Sequence, residues 1–291
     1  MKFGLYAINY GTCADPDALV RVAQYAEAAG LDSLWAGEHI VLPCPQPPDY
    51  AIAPEIPFLD AVVALALAAA NTTSITVATG ILELPLHQPV LLAKQLASVD
   101  QIARGRLMVG VGVGYLAPEF SALGVPLDDR ATRTDEHIEA MRALWTMAAP
   151  EFHARHVDFA GVDAHPRPVQ TGGPPILIGG NSAMARRRAL TKARGWIPAD
   201  FDLDATREAR RALARDLEEL KRPASLGPFE FTVISPINRL DRELVDGYRE
   251  LGVGRLVVLP GLDVPAPRRY HAVPIDDIFR TIDHLAALAD E

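Results

Sequence analysis

The sequence predicts an α/β fold, a single (β/α)8 TIM barrel over residues 1–291 with a short insertion around 148–174. Continuous apolar stretches of strand length alternate eight times with amphipathic stretches of helix length, which is the pattern of a parallel sheet covered on its outside. No serine- or glycine-rich linker divides the chain into two core-forming halves. A length of 291 residues also suits such a barrel, which commonly occupies about 250 residues or more as one domain. A doubly wound open sheet is the alternative reading of the same alternation.

The elements follow in order. Residues 2–9 read as a buried strand; the next helix has Asp15 as N-cap, Pro16 at its first position and Gly30 just past its end. A strand over 31–37 leads through the proline-rich loop 43–57 to an alanine-rich helix over 58–71. Its apolar part, 61–70, is about half a membrane span and reads as a buried helix. Strand 74–80 precedes helix 88–104. Strand 106–111 precedes a broken helical stretch whose main part, 130–147, sets Ile138, Met141 and Trp145 on one face. Segment 151–173, rich in proline and without a period, is an excursion from the barrel. The alternation resumes with 175–179 and 182–194, 195–199 and 204–222, 228–234 and 240–251, and 253–259 and 275–289. The charge-dense run 207–222 reads as a solvated helix face with Glu and Arg at i,i+4 spacings.

Composition narrows the function. A net charge of −9 opposes a nucleic-acid surface, which needs a basic footprint. The two cysteines, Cys13 and Cys44, supply neither a disulfide framework nor a four-cysteine zinc site. The apolar N-terminal run carries no signal-peptide cleavage pattern, and a cytoplasmic protein without membrane association is expected.

In such a barrel, function belongs where loops leave the C-terminal strand ends. His39 stands after the second strand and is the first catalytic candidate, because an imidazole exchanges protons near neutral pH. Glu38 beside it is expected to be its orienting neighbour, though a cap or salt-bridge role is equally open. Gly80 ends the third strand, where glycine allows a close approach or a turn. Gly110, Gly112 and Gly114 lack the spacing of a dinucleotide fingerprint and are read as backbone exposed to a flat ligand. Gly179, Gly180, Asn181 and Ser182 open a helix whose first N–H groups can hold a phosphate, with Ser182 as phosphate ligand or N-cap. Arg186, Arg187 and Arg188 on that helix, and Arg268, Arg269 and His271 in the last loop, are candidates for an acidic cofactor tail or a solvated face. His87, His137, His153 and His165 lack the i,i+4 pairing of a metal helix, so no catalytic metal is expected. The sequence has no G-x-S-x-G elbow.

Four segments in order, YAEAAGLDSLWAGEH, ATGI, HQPVLLAKQLASVDQIARGRLMVGVGVG with PEF following, and PPILIGGNS with GWIP, resemble the luciferase-like monooxygenase superfamily, in particular its branch of oxidoreductases using the deazaflavin coenzyme F420. The resemblance runs from residue 2 to about 200. It implies a barrel, usually homodimeric, with an isoalloxazine-type ring in its mouth. It also implies a non-proline cis peptide at Gly80-Ile81 forming a bulge behind the ring, polar groups at Glu38 and His39 beside the reactive edge, and cofactor-side backbone at Gly114 and Gly179-Gly180. The family's sugar-phosphate dehydrogenases carry a glutamate right after the glycine series; Tyr115 stands here, which argues against glucose-6-phosphate oxidation and leaves Tyr115 as a second donor. The expected activity is hydride transfer between F420 and a small organic substrate. A flavin mononucleotide (FMN) monooxygenase served by a separate reductase, and a non-catalytic flavin-binding protein, are the alternatives.

Overall fold

The computed structural model describes residues 1–48, 50–235, 240–261 and 272–289. Its strands are β1 (Lys2–Leu5), β2 (Ser33–Ala36), β3 (Thr76–Glu83), β4 (Leu107–Gly112), β5 (Phe152–His153), β6 (Asp158–Phe159), β7 (Ile176–Gly179), β8 (Gly195–Ile197), β9 (Glu230–Ile234) and β10 (Arg255–Val258). Its helices are α1 (Pro16–Ala28), α2 (Ala61–Ala70), α3 (Pro89–Ile102), α4 (Ala117–Ala122), α5 (Arg130–Thr146), α6 (Ala183–Lys192), α7 (Leu203–Glu219), α8 (Arg242–Glu250) and α9 (Ile275–Ala289). Eight strands close a barrel in the order β1, β10, β9, β8, β7, β4, β3, β2, and every neighbouring pair is parallel. The remaining two, β5 and β6, form an antiparallel hairpin within the insertion.

Alternation of side chains along each strand builds two cores. Residues such as Leu5, Leu34, Val77, Val109 and Ile178 pack outward against the helices. Trp35, Ala78, Met108, Leu177, Ile197, Ile234, Val257 and Leu259 fill the barrel itself. At the strand starts, Arg255 lies buried between Glu230 at 3.1 Å and Ser33 Oγ at 2.7 Å. Its charge is thereby paired and hydrogen-bonded, as a buried cation requires. The packed floor leaves the opposite rim, at the C-terminal strand ends, as the place where space can open.

The helix starts follow the capping signals. Asp15, Asp60, Ser182, Asp202 and Asp241 each accept a hydrogen bond from the backbone N–H three residues on. Near the end of α1, Glu27 receives the N–H groups of Thr73, Ser74 and Ile75. Burial pushes its pKa up, but those donors outweigh it and hold the carboxylate down to about 2.

Two expected boundaries move. The first strand stops at Leu5, not at residue 9, because Ala7 takes a positive φ of 68° and Asn9 turns inward to clamp Gly37 and the Leu59 carbonyl. The third strand runs three residues past Gly80. Among the described residues no helix is long and apolar enough to cross a membrane.

Candidate active site

The rim is shaped first by β3. The Gly80–Ile81 peptide is cis, and the pairing of β3 with β4 slips between Thr79 and Leu82, so a bulge stands where a turn was expected. Tyr6 Oη donates to the Gly80 carbonyl at 2.5 Å. The Ile81 side chain enters the barrel mouth, and the glycines around it make room for it. A Cβ on Gly112 or Gly179 would lie 2.6 Å from Ile81, and one on Gly110 would lie 2.3 Å from the Thr79 carbonyl oxygen. Gly110 and Gly112, read from the sequence as backbone offered to a ligand, here accommodate the bulge by their missing side chains, and neither is among the residues lining the cavity. Gly114, at φ +74°, abuts Phe120 and the Glu83 carboxyl. Of the glycines singled out, Gly80, Gly179 and Gly180 line the cavity, together with Ile81.

That cavity also takes in Tyr6, Tyr10, Tyr50, Phe58 and Tyr115 as an aromatic wall, and Ile197, Ile234 and Leu259 as an apolar floor. Glu38, His39, Glu83 and Asp200 are its acidic and imidazole groups. His39 is held from both sides. Its Nδ1 lies 3.2 Å from Glu119 Oε2, and its Nε2 lies 3.0 Å from Tyr50 Oη, which in turn is 3.3 Å from Tyr115 Oη. Glu119, in the first turn of α4, is fully buried. Its Oε1 accepts the N–H groups of Ile40 at 2.6 Å and Val41 at 3.2 Å. Burial alone would raise the Glu119 pKa; the bond to His39 and the two backbone donors outweigh it and hold this carboxyl below its usual value.

Glu38 is not the residue that orients His39. Its carboxylate accepts the Glu83 N–H at 2.7 Å and meets His87 Nε2 at 3.0 Å through both oxygens. Burial lowers the His87 pKa, but the facing Glu38 more than reverses this, so the imidazole is favoured in its charged form. Sequence reasoning missed Glu119, Glu83, His87 and Tyr50. An acid in the first turn of the apolar segment around PEF was the one local signal for Glu119; its partner lies 80 positions away.

The other candidates are less central. Ser182 is an N-cap, accepting from Ala185 N at 3.1 Å. Asn181 ties itself to Ala199 through both its amide atoms. Both residues are exposed at the start of α6, next to Gly180. Arg186 and Arg187 pair with Asp216 and Glu219 on α7, and Arg188 pairs with Asp135 on α5. These three side chains brace helices. Arg268, Arg269 and His271 lie outside the described residues.

Comparison with known proteins agrees with this geometry. The profile of the luciferase-like monooxygenase family matches residues 1–238. An uncharacterized protein of Mycobacterium tuberculosis is 32% identical over 276 residues, covering 92% of each chain. An FMNH2-dependent dimethylsulfone monooxygenase of Pseudomonas putida is 38% identical over 123 residues, 41% of this chain and 34% of that one. Among solved structures, a monooxygenase from Streptomyces bottropensis superposes with a TM-score of 0.79 at 21% identity over 99% of this chain and 98% of its own. An F420-dependent secondary alcohol dehydrogenase, solved with an F420–acetone adduct, gives a TM-score of 0.77 at 15% identity over 99% and 97%. With its closed barrel, its bulged third strand and the family profile spanning most of its length, the chain belongs to the luciferase-like monooxygenase family.

Proposed function

We propose that the protein is an oxidoreductase that moves a hydride between coenzyme F420 and a small organic substrate, working as one barrel unit over residues 1–291. The observation that carries this reading is the His39–Glu119 pair set beside a flat slot. Ile81 and the apolar floor form one face of the slot, and the bare main chain of Gly179 and Gly180 forms part of its edge. A planar ring system fits between such surfaces, and the exposed start of α6 beside Gly180 suits an anionic tail. When bound, a deazaflavin supplies two-electron hydride chemistry.

The chain's own residues supply the rest. His39 exchanges through Nε2 the proton that a substrate hydroxyl gains or loses, and the Glu119 carboxylate stabilises the imidazolium that results. Tyr50 and Tyr115 join Nε2 to the cavity mouth, so Tyr115 serves as a second donor through Tyr50. No Arg or Lys lines the cavity among the described residues, which favours substrates without a fixed negative charge. The slot measures about 230 Å³. Ligand pockets usually run to about 300–1,000 Å³, so entry of the ring requires the mouth beside Tyr50 to widen.

A second reading, an FMN monooxygenase fed by a separate reductase, is favoured by the segment of identity shared with the dimethylsulfone monooxygenase. Fluorescence titration of the apo-protein with F420 and with FMN separates the two. Tighter binding of F420, with turnover of reduced F420 by a carbonyl or alcohol, is expected; binding of FMN alone, with oxygen uptake, would transfer the assignment to the second reading.

We also infer a homodimer. Helix α2 is apolar all round, which ordinarily means burial on every side, yet Val63 on it is 62% exposed and Leu91 on α3 is 58% exposed. Sedimentation at micromolar concentration should give twice the chain mass, and Val63→Glu should shift it to the monomer; a monomeric wild type would remove this inference.

A further inference from the structure

Glu83 differs from the other carboxyls at the rim. Strand β3 carries it past the bulge, where its side chain is 3% exposed and lines the cavity. Glu119 has an imidazole and two backbone N–H groups; Glu38 has His87 and the backbone N–H of Glu83. The Glu83 carboxyl has no such set. Its Oε2 is buried without a hydrogen-bond partner, and its Oε1 lies 3.8 Å from His39 Nδ1, a nitrogen already engaged by Glu119 at 3.2 Å. Ionising it would bury an unpaired charge beside two carboxylates, a state that a protein avoids by keeping the group neutral.

Burial first, then Glu119 and Glu38, push the Glu83 pKa far above the usual carboxylate range. The groups facing it are Glu38 and His39 from the segment after β2, Glu119 from α4, and Tyr50 and Tyr115 at the mouth, none of which adds an uncommitted cation among the described residues.

We propose that Glu83 stands in this site as a neutral carboxylic acid and delivers the one proton the substrate takes up within the cavity, with His39 as the relay that resupplies it. The proposal rests on the reading of the cavity as an oxidoreductase site. In carbonyl reduction, a reduced deazaflavin would be the reductant, supplying hydride and with it both electrons to the carbonyl carbon. Glu83 gives its proton to the carbonyl oxygen: the acid O–H bond breaks, the alcohol O–H bond forms, and Glu83 is left as a carboxylate. A proton from solvent, relayed by His39, restores it. A bound divalent cation would relieve the same crowding of charge, since His39, Glu83 and Glu119 can each offer a ligand atom within 4.8 Å of the others. The proton is favoured because His39 Nδ1 and both Glu119 oxygens are already hydrogen-bonded.

The test compares wild type, Glu83→Gln and Glu83→Asp. Infrared spectra of the apo-protein at neutral pH should show a protonated carboxyl band that Glu83→Gln removes. Thermal unfolding supplies a second readout. A carboxyl whose pKa rises on folding supports the fold fully below its unfolded pKa of about 4.3, and that support is lost as pH rises toward the folded value. The Tm of Glu83→Gln should therefore gain on wild type steadily as pH climbs above about 4.3. With reduced F420 and a panel of short ketones and aldehydes, Glu83→Gln should lose about 10²-fold or more in kcat with little change in KM, and Glu83→Asp should recover part of it. Absence of the band, a Tm difference that ignores pH, an unchanged kcat, or a Tm raised by Zn2+ or Mn2+ in wild type but not in Glu83→Gln would each overturn the proposal. The first two readouts need no cofactor, so they fail or hold independently of the functional reading. A wild type that reduces no carbonyl removes the donor role and that reading together.

Discussion

Replacing His39 with alanine is expected to lower turnover by about 10²–10⁴-fold, the usual contribution of a positioned general acid or base, while cofactor affinity stays within about threefold of wild type. The asymmetry follows from where the imidazole stands. Its Nε2 faces the mouth through Tyr50, whereas the apolar floor and the glycine edge that suit the ring are built from other strands. The change also removes one partner from Glu119 Oε2. Oε1 keeps the Ile40 and Val41 N–H groups, but the buried Oε2 is left without its partner, so the loss of stability should be about 3 kcal/mol. His39→Gln, which preserves a hydrogen bond to Glu119 but carries no titratable proton, should match alanine in turnover and exceed it in stability. Steady-state kinetics beside a fluorescence titration decide the matter; equal losses in turnover and affinity would assign His39 to binding.

Gly110→Ala should be among the most damaging single substitutions in the barrel. The new Cβ would sit 2.3 Å from the Thr79 carbonyl oxygen, a backbone atom, and 3.4 Å from Ile81. Neither strand can yield easily, because Thr79 pairs with Val109 and its hydroxyl donates to the Gly110 carbonyl at 2.7 Å. Overpacking of this kind costs about 3 kcal/mol and moves backbone. Here the moving part is the bulge behind the slot, so cofactor binding should fall with stability. Gly161→Ala is the control: its φ of +69° makes alanine unwelcome by about 1–2 kcal/mol, but nothing lies within 4 Å of the added carbon and binding should be unchanged. Chemical denaturation and the titration together read both effects. A Gly110→Ala protein as stable as wild type would show that β3 and β4 are looser than their contacts indicate.

How far the sequence disclosed this molecule depended on the range of the interactions. The alternation of apolar and amphipathic segments is local, so the barrel was legible, and the expected helix 275–289 coincides with the described span of α9. Gly80 misled because glycine signals freedom of the backbone without saying whether the chain turns or bulges; β3 bulged and went on to Glu83. The glycines of β4 were read as backbone open to a flat ligand; what comes closest to Gly110 and Gly112 is Thr79 and Ile81 of the neighbouring β3. Glu38 was the natural partner for its neighbour His39, yet adjacent residues at a strand end point apart, and the two acids serve different imidazoles. Glu119 could be found only when the fold brought α4 against the loop after β2. Glu83 was hidden for the same reason, since its unusual state comes from the company of two other carboxylates and not from its own sequence context.

Ile81, Gly180 and His39 line one cavity at the rim, and a flat redox ring is expected to bind there. A crystal structure of the protein soaked with F420 or FMN tests it directly. The ring should lie on Ile81 and the Ile197–Ile234 floor, with its reactive edge toward His39 and Tyr50 and its tail running past Gly180 to the start of α6. A ring bound elsewhere on the barrel, with this slot still closed by Tyr50, would contradict the account.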